Sequence, residues 1–91
     1  RSDIGALFEN YVIAERLKQQ SYARTYANGY FWRTTAKSEI DYLEECDGML
    51  TAYEFKWNPR RNAAVPLSFS RNYPDAAFKV ITRDNYDEIL L

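Results

Sequence analysis

Histidine is absent from this chain of 91 residues, cysteine occurs once, and glycine and proline occur three times each. A single thiol, Cys46, leaves no internal disulfide or thiolate cluster to form, and the lack of imidazole removes His-assisted nucleophilic sites and the usual zinc ligand sets. Carboxylates and lysine are therefore the reactive repertoire. No apolar run approaches the ~18 residues of a membrane-crossing helix, so no membrane partner is expected. The opening RSDIGALFENYV has no basic leader followed by an apolar block, and without an initiator Met it reads as a processed chain or an excised domain. The lone cysteine suits a reducing, cytoplasmic setting. Charge of one sign is also lacking: twelve basic and thirteen acidic side chains leave a formal net charge of -1, which supplies no global attraction to nucleic acid. Such a partner would need a local basic patch.

What the chain has in quantity is aromatic surface. Eight Tyr, five Phe and two Trp within a 46% hydrophobic composition suffice for a modest core in one domain spanning residues 1–91. Asp3 or Ser2 is placed to cap a first helix from about Ile4 to Gln19. In it Ile4, Leu7, Phe8, Tyr11, Ala14 and Lys18 fall along one side, with Val12 and Leu17 widening the stripe, which predicts a helix pressed against a sheet. The run from Gly29 to Thr35 is aromatic and β-branched, and predicts a first strand. Asp47-Gly48 then separates SEIDYLEEC from MLTAYEFKW. Because Gly accepts positive φ and Asp tolerates it, that pair predicts a hairpin of strands over roughly 38–46 and 49–57. Asn58-Pro59 ends the second of these, Pro66 opens a short helix to about Asn72, Ala77 to Thr82 forms a further strand, and Asp84 caps a last turn. The order is α-β-β-β-α-β, an α/β (α+β) domain.

With Asp47 and Gly48 as the loop, Cys46 faces Met49, Asp41 faces Glu54, and Glu39 faces Lys56. Strict alternation puts the four charged residues on one face with Leu43 and Ala52. Ile40, Tyr42, Tyr53, Phe55 and Trp57 form a core stripe on the other. Opposed carboxylates repel unless compensated, and a magnesium or manganese ion between Asp41 and Glu54 is one compensation, since hard oxygen ligands suit both metals. Lys56 could hold a water or a phosphate oxygen beside that ion, or pair with Glu39 or Glu54. The competing reading is ordinary surface ion pairing, worth only ~0.2 to 1 kcal/mol per pair.

Asp41 followed by Glu54-Phe55-Lys56 resembles the PD-(D/E)xK nuclease superfamily, with its restriction-endonuclease-like core. There an acidic residue early on the second strand precedes E-x-K on the third. Glu9 matches the extra helix-borne acid of many members, while Ile40 stands where the motif carries Pro. The stretches GALFENYVIAERLK, YFWRT, EIDYLEE, AYEFKW and VITRDNY are similar, in order and spacing, to a C-terminal domain of prokaryotic AAA-type P-loop ATPases. The resemblance covers nearly the whole chain. It implies Asp41, Glu54 and Lys56 as catalytic residues, and Asp41, Glu54 and Glu9 as ligands of Mg or Mn. It further implies DNA or RNA as ligand and the ATPase domain of a longer chain as partner. No Gly-rich Walker segment ending in Lys-Ser or Lys-Thr occurs, so ATP binding by that mechanism is not expected.

Arg60, Arg61 and Arg71, with Lys56 and Arg33, read as a phosphate-contacting rim that Arg24 and Lys37 would extend, or else as solubilising side chains. Glu44-Glu45 reads as a solvated strand end. Tyr30, Phe31 and Trp32 are expected in the core. A second function class stays open: a regulatory domain of the ATPase, docking through Phe69 to Tyr73 and Tyr86 to Leu91, with its nuclease pocket kept only as scaffold.

Overall fold

The computed structural model describes residues 3–24, 27–33 and 39–90. The elements are α1 (Ile4–Ala23), β1 (Asn28–Arg33), β2 (Glu39–Cys46), β3 (Met49–Phe55), α2 (Leu67–Asn72), β4 (Ala77–Ile81) and α3 (Asp87–Leu90). The strands make one mixed sheet in the order β1-β2-β3-β4, and the sequence of elements broadly matches a restriction-endonuclease-like core. Two compact units result, one of residues Ala27–Glu54 with Ala63–Val80, the other of Arg1–Tyr26, Phe55–Asn62 and Ile81–Leu91.

The first unit is built on the β2–β3 hairpin. Asp47 and Gly48 both take positive φ, 53° and 80°, the conformation a two-residue turn needs to match strand twist. Glu45 holds this turn: its carboxylate accepts from the Gly48 N–H at 2.9 Å and from Asn28 Nδ2 at 3.1 Å. Cys46 pairs with Met49, and the ladder runs in unbroken register to Tyr42 and Tyr53.

Against β1 the register slips. Tyr30 faces Leu43 but Trp32 faces Ile40, so a two-residue step on β1 spans three residues on β2. Asp41 and Tyr42 thus stand together against Phe31, a β-bulge in β2. The bulge corrects the expected faces. Ile40 joins Leu43, Ala52 and Phe69 in one buried cluster, ringed by Trp32, Leu50, Val65, Ala76 and Phe78. Phe69 reaches this cluster from α2, meeting Trp32 edge-on at 5.3 Å. Tyr42 and Tyr53, both buried, stack at 6.1 Å. Tyr30 and Phe31, expected in the core, are exposed, because β1 is an edge strand.

The second unit centres on α1, four residues longer than expected and closed by Arg24 in the left-handed conformation. Asp3 occupies the N-cap without a side-chain capping bond; its ψ of 4° departs from the extended geometry that aims a cap side chain at the first turn. Only Phe8 and Val12 are buried, while Ile4, Leu7, Tyr11 and Leu17 stay exposed. The inward side is therefore rotated from the stripe that apolar spacing suggests. Phe8 meets Phe55, Trp57 and Tyr86 edge-on at 6.5, 5.5 and 6.1 Å. An Arg16 guanidinium donates to the Ile89 carbonyl, tying α3 to α1. Asp84 does not cap α3: it belongs to a separate Thr82–Asn85 turn, and α3 begins at Asp87.

Candidate functional site

Asp41 and Glu54 lie in the first unit, on neighbouring strands. Each is one residue beyond the last registered pair of the hairpin, Tyr42 with Tyr53. Asp41 is half-buried inside the bulge, a device that re-aims side chains beside functional sites. Glu54 is also half-buried, and its Oε1 is wholly shielded from solvent. Glu39 takes a different partner from those expected: it sits opposite Arg33 and forms an ion pair with it at 3.2 Å.

Lys56 and Glu9 belong to the second unit. The Lys56 backbone N–H donates to the Ile81 carbonyl at 2.9 Å, which anchors the end of the E-x-K segment. Lys56 lines a recess of about 280 Å³ with Gly5, Phe55, Trp57, Asn58 and Arg61. Arg61 arrives there through a turn at Asn58, whose carbonyl accepts from the Arg61 N–H at 3.1 Å while its Oδ1 accepts from the Arg60 N–H at 3.0 Å. Two basic residues, Lys56 and Arg61, thus line one recess together with Gly5, from the first turn of a 20-residue helix, where backbone N–H groups favour anions. Asn58, not singled out from the sequence as a positioning residue, is the element that makes this possible. An Asn-Pro pair was its only signal.

The remaining candidates scatter. Arg60 is exposed on the same turn, and Arg71 is exposed at the end of α2 in the other unit. Arg33 is engaged by Glu39, Arg24 closes α1, and Lys37 lies outside the described residues. Glu9 is half-buried on α1. A Cβ on Gly5, one turn earlier in the same helix, would meet nothing within 4 Å, so no close approach is made there. Glu44 corrects the solvated strand end: it is 5% exposed, because it sits in the interior strand β2 between Gly29 and Thr51. Glu45 is not idle either, since its bonds to Gly48 and Asn28 hold its carboxyl below the usual range.

Among the described residues, no three Asp, Glu or Cys side chains gather closely enough to hold a metal ion. Magnesium does not require three: it keeps several waters and is commonly held by one or two carboxylates with substrate phosphates. Asp41 and Glu54 fit that donor chemistry. Also among the described residues, no helix is long and apolar enough to cross a membrane.

The family described as "Domain of unknown function (DUF4143)" matches residues 4–89, and it is the ATPase-associated, PD-(D/E)xK-like family to which the motifs point. No curated protein and no solved structure matches the chain.

Proposed function

From the premise that the chain belongs to the DUF4143 family, whose nuclease-like architecture its fold shares, we propose that it is a nucleic-acid-processing domain acting on phosphodiester bonds. The observation that carries this reading is the recess shared by Lys56 and Arg61, directly after Glu54 in the chain. Two cations beside a helix N-terminus suit the oxygens of a phosphate better than any neutral ligand. Asp41 and Glu54 would hold a magnesium or manganese ion, which when bound polarises a phosphate and lowers the pKa of its water. Lys56 serves as an electrostatic group that offsets charge on the transferring phosphate or orients the water. Arg61 grips a phosphate oxygen and orients the strand.

Manganese titration of the wild type and of Glu54→Gln, followed by cleavage assays on single- and double-stranded DNA and RNA, tests the proposal. Saturable binding lost in the variant, with metal-dependent cleavage by the wild type, is the expected result. Equal manganese binding by both proteins would remove the metal site.

A second reading rests on a separate observation. Ile4, Leu7, Tyr11 and Leu17 are exposed along α1, an apolar strip suited to a regulatory domain that docks on its ATPase. Under that reading the intact protein shows no cleavage. Polar substitutions at Leu7 and Leu17 then alter ATP turnover.

A further inference from the structure

The second unit carries another recess, of about 460 Å³, lined by Phe8, Tyr11, Trp57, Arg83, Asp84 and Tyr86. Its size falls within the ~300–1,000 Å³ range of small-molecule sites. Four of its six lining residues are aromatic. Phe8 is buried and meets Trp57 and Tyr86 edge-on, and Tyr11 meets Tyr86 edge-on at 6.4 Å while remaining 53% exposed. The Arg83 guanidinium lies over the Trp57 indole, 5.5 Å from its centroid.

Arg83 and Asp84 ride on a pinned turn. The Thr82 N–H donates to Asn85 Oδ1 at 2.6 Å, the Asp84 N–H to Thr82 Oγ1 at 3.1 Å, and the Asn85 N–H to the Thr82 carbonyl at 3.2 Å. Thr82 itself is buried. A cation and a carboxylate are therefore held beside an aromatic cluster in which Tyr11 is exposed and Trp57 and Tyr86 are half-buried, at little further cost in ordering on binding.

We propose that this recess binds an unpaired nucleotide: its base stacks on the aromatic rings, Asp84 accepts an N–H from the base edge, and Arg83 pairs with the adjoining phosphate. The inference rests on the nucleic-acid reading above and adds a base-binding subsite to it. Competing ligands fit less well. A cationic side chain would meet Arg83 already seated on the indole, and a wholly apolar segment would desolvate both Arg83 and Asp84 without pairing them. A nucleotide answers all three features, because every base has a π-face, three of the four carry an amino donor, and each brings an anion. A free mononucleotide presents the same chemistry as one in a strand, so the test has an arm for each.

The test measures binding of the intact protein to labelled single-stranded DNA and RNA, and to guanosine monophosphate, for the wild type, Tyr11→Ala, Arg83→Gln and Asp84→Asn. All three positions are exposed, and thermal melts of the variants should match the wild type. A parallel crosslinking experiment uses strands carrying 5-iodouracil. Strand affinity should fall about tenfold in Tyr11→Ala and in Arg83→Gln. Asp84→Asn should change the preference among bases, and crosslinks should map to Tyr11, Trp57 or Tyr86. Unchanged affinity in both Tyr11→Ala and Arg83→Gln, with crosslinks elsewhere, overturns the recess but leaves the nucleic-acid reading standing. Capture of the mononucleotide without any strand binding keeps a nucleotide site and removes that reading. Failure of both ligands overturns both.

Discussion

The Tyr42 ring lies across Gly29 so closely that a β-carbon at Gly29 would stand 2.7 Å from the phenol oxygen and 3.0 Å from Cε1. The ring has no easy retreat, being buried, stacked on Tyr53 and met edge-on by Phe31 at 6.4 Å. Gly29→Ala should therefore destabilise the protein by ~1–3 kcal/mol, the usual cost of overpacking. Urea unfolding would read this as a lower midpoint with an unchanged slope. A variant as stable as the wild type would mean that Tyr42 moves freely.

Glu45 predicts a pH dependence. Its folded pKa is lowered, first by the bond from the Gly48 N–H and then by the bond from Asn28. A depressed carboxyl pKa stabilises the fold above the unfolded value, near ~4.3, and the contribution disappears as pH falls through the folded value. Glu45→Gln should unfold at lower urea than the wild type at neutral pH. The two midpoints should converge on acidification below about pH 4. Parallel pH profiles for both proteins would exclude this role.

Phe69 is 1% exposed and contacts Trp32 at 5.3 Å and Tyr73 at 5.1 Å, so it anchors α2 on the sheet. Phe69→Ala should cost ~3–5 kcal/mol, a large share of the stability of a domain this small. Thermal unfolding monitored by circular dichroism measures it. Phe69→Leu should recover most of the loss.

The salt dependence of nucleic-acid binding separates the basic residues. Lys56→Gln and Arg61→Gln should each lower the log–log salt slope by about one, as expected for losing one phosphate contact. Arg33→Gln should leave it unchanged, because Arg33 is paired with Glu39 on the β1 edge. Equal slopes for all three variants would dissociate the Lys56–Arg61 recess from the strand.

Several of these features were legible in the residues, and the reason is locality. The β2–β3 turn needs only two residues of positive φ, and Asp47-Gly48 supplies them with no help from the rest of the chain. Pro66 likewise marks the start of α2 by its own geometry. The acid and E-x-K positions, Asp41 and Glu54-Phe55-Lys56, come from a resemblance to the PD-(D/E)xK motif and not from local backbone preference.

Other features answer to partners distant in the chain. The bulge at Asp41 and Tyr42 is a mismatch between β1 and β2, invisible in either strand separately, and it moved Ile40 to the face of Leu43. Which side of α1 turns inward is likewise settled by the rings that Phe8 meets, on segments more than forty residues away, and not by the spacing of Leu7 and Tyr11. The sequence by itself determined the order of elements, the tight hairpin and the chemical repertoire, because backbone preference and residue type are local properties. Only the tertiary structure decided that Glu44 is buried, that Arg33 is engaged by Glu39, and that Lys56 shares a recess with Arg61. Burial and pairing belong to pairs of segments, and the spacing of residues along one segment does not encode them.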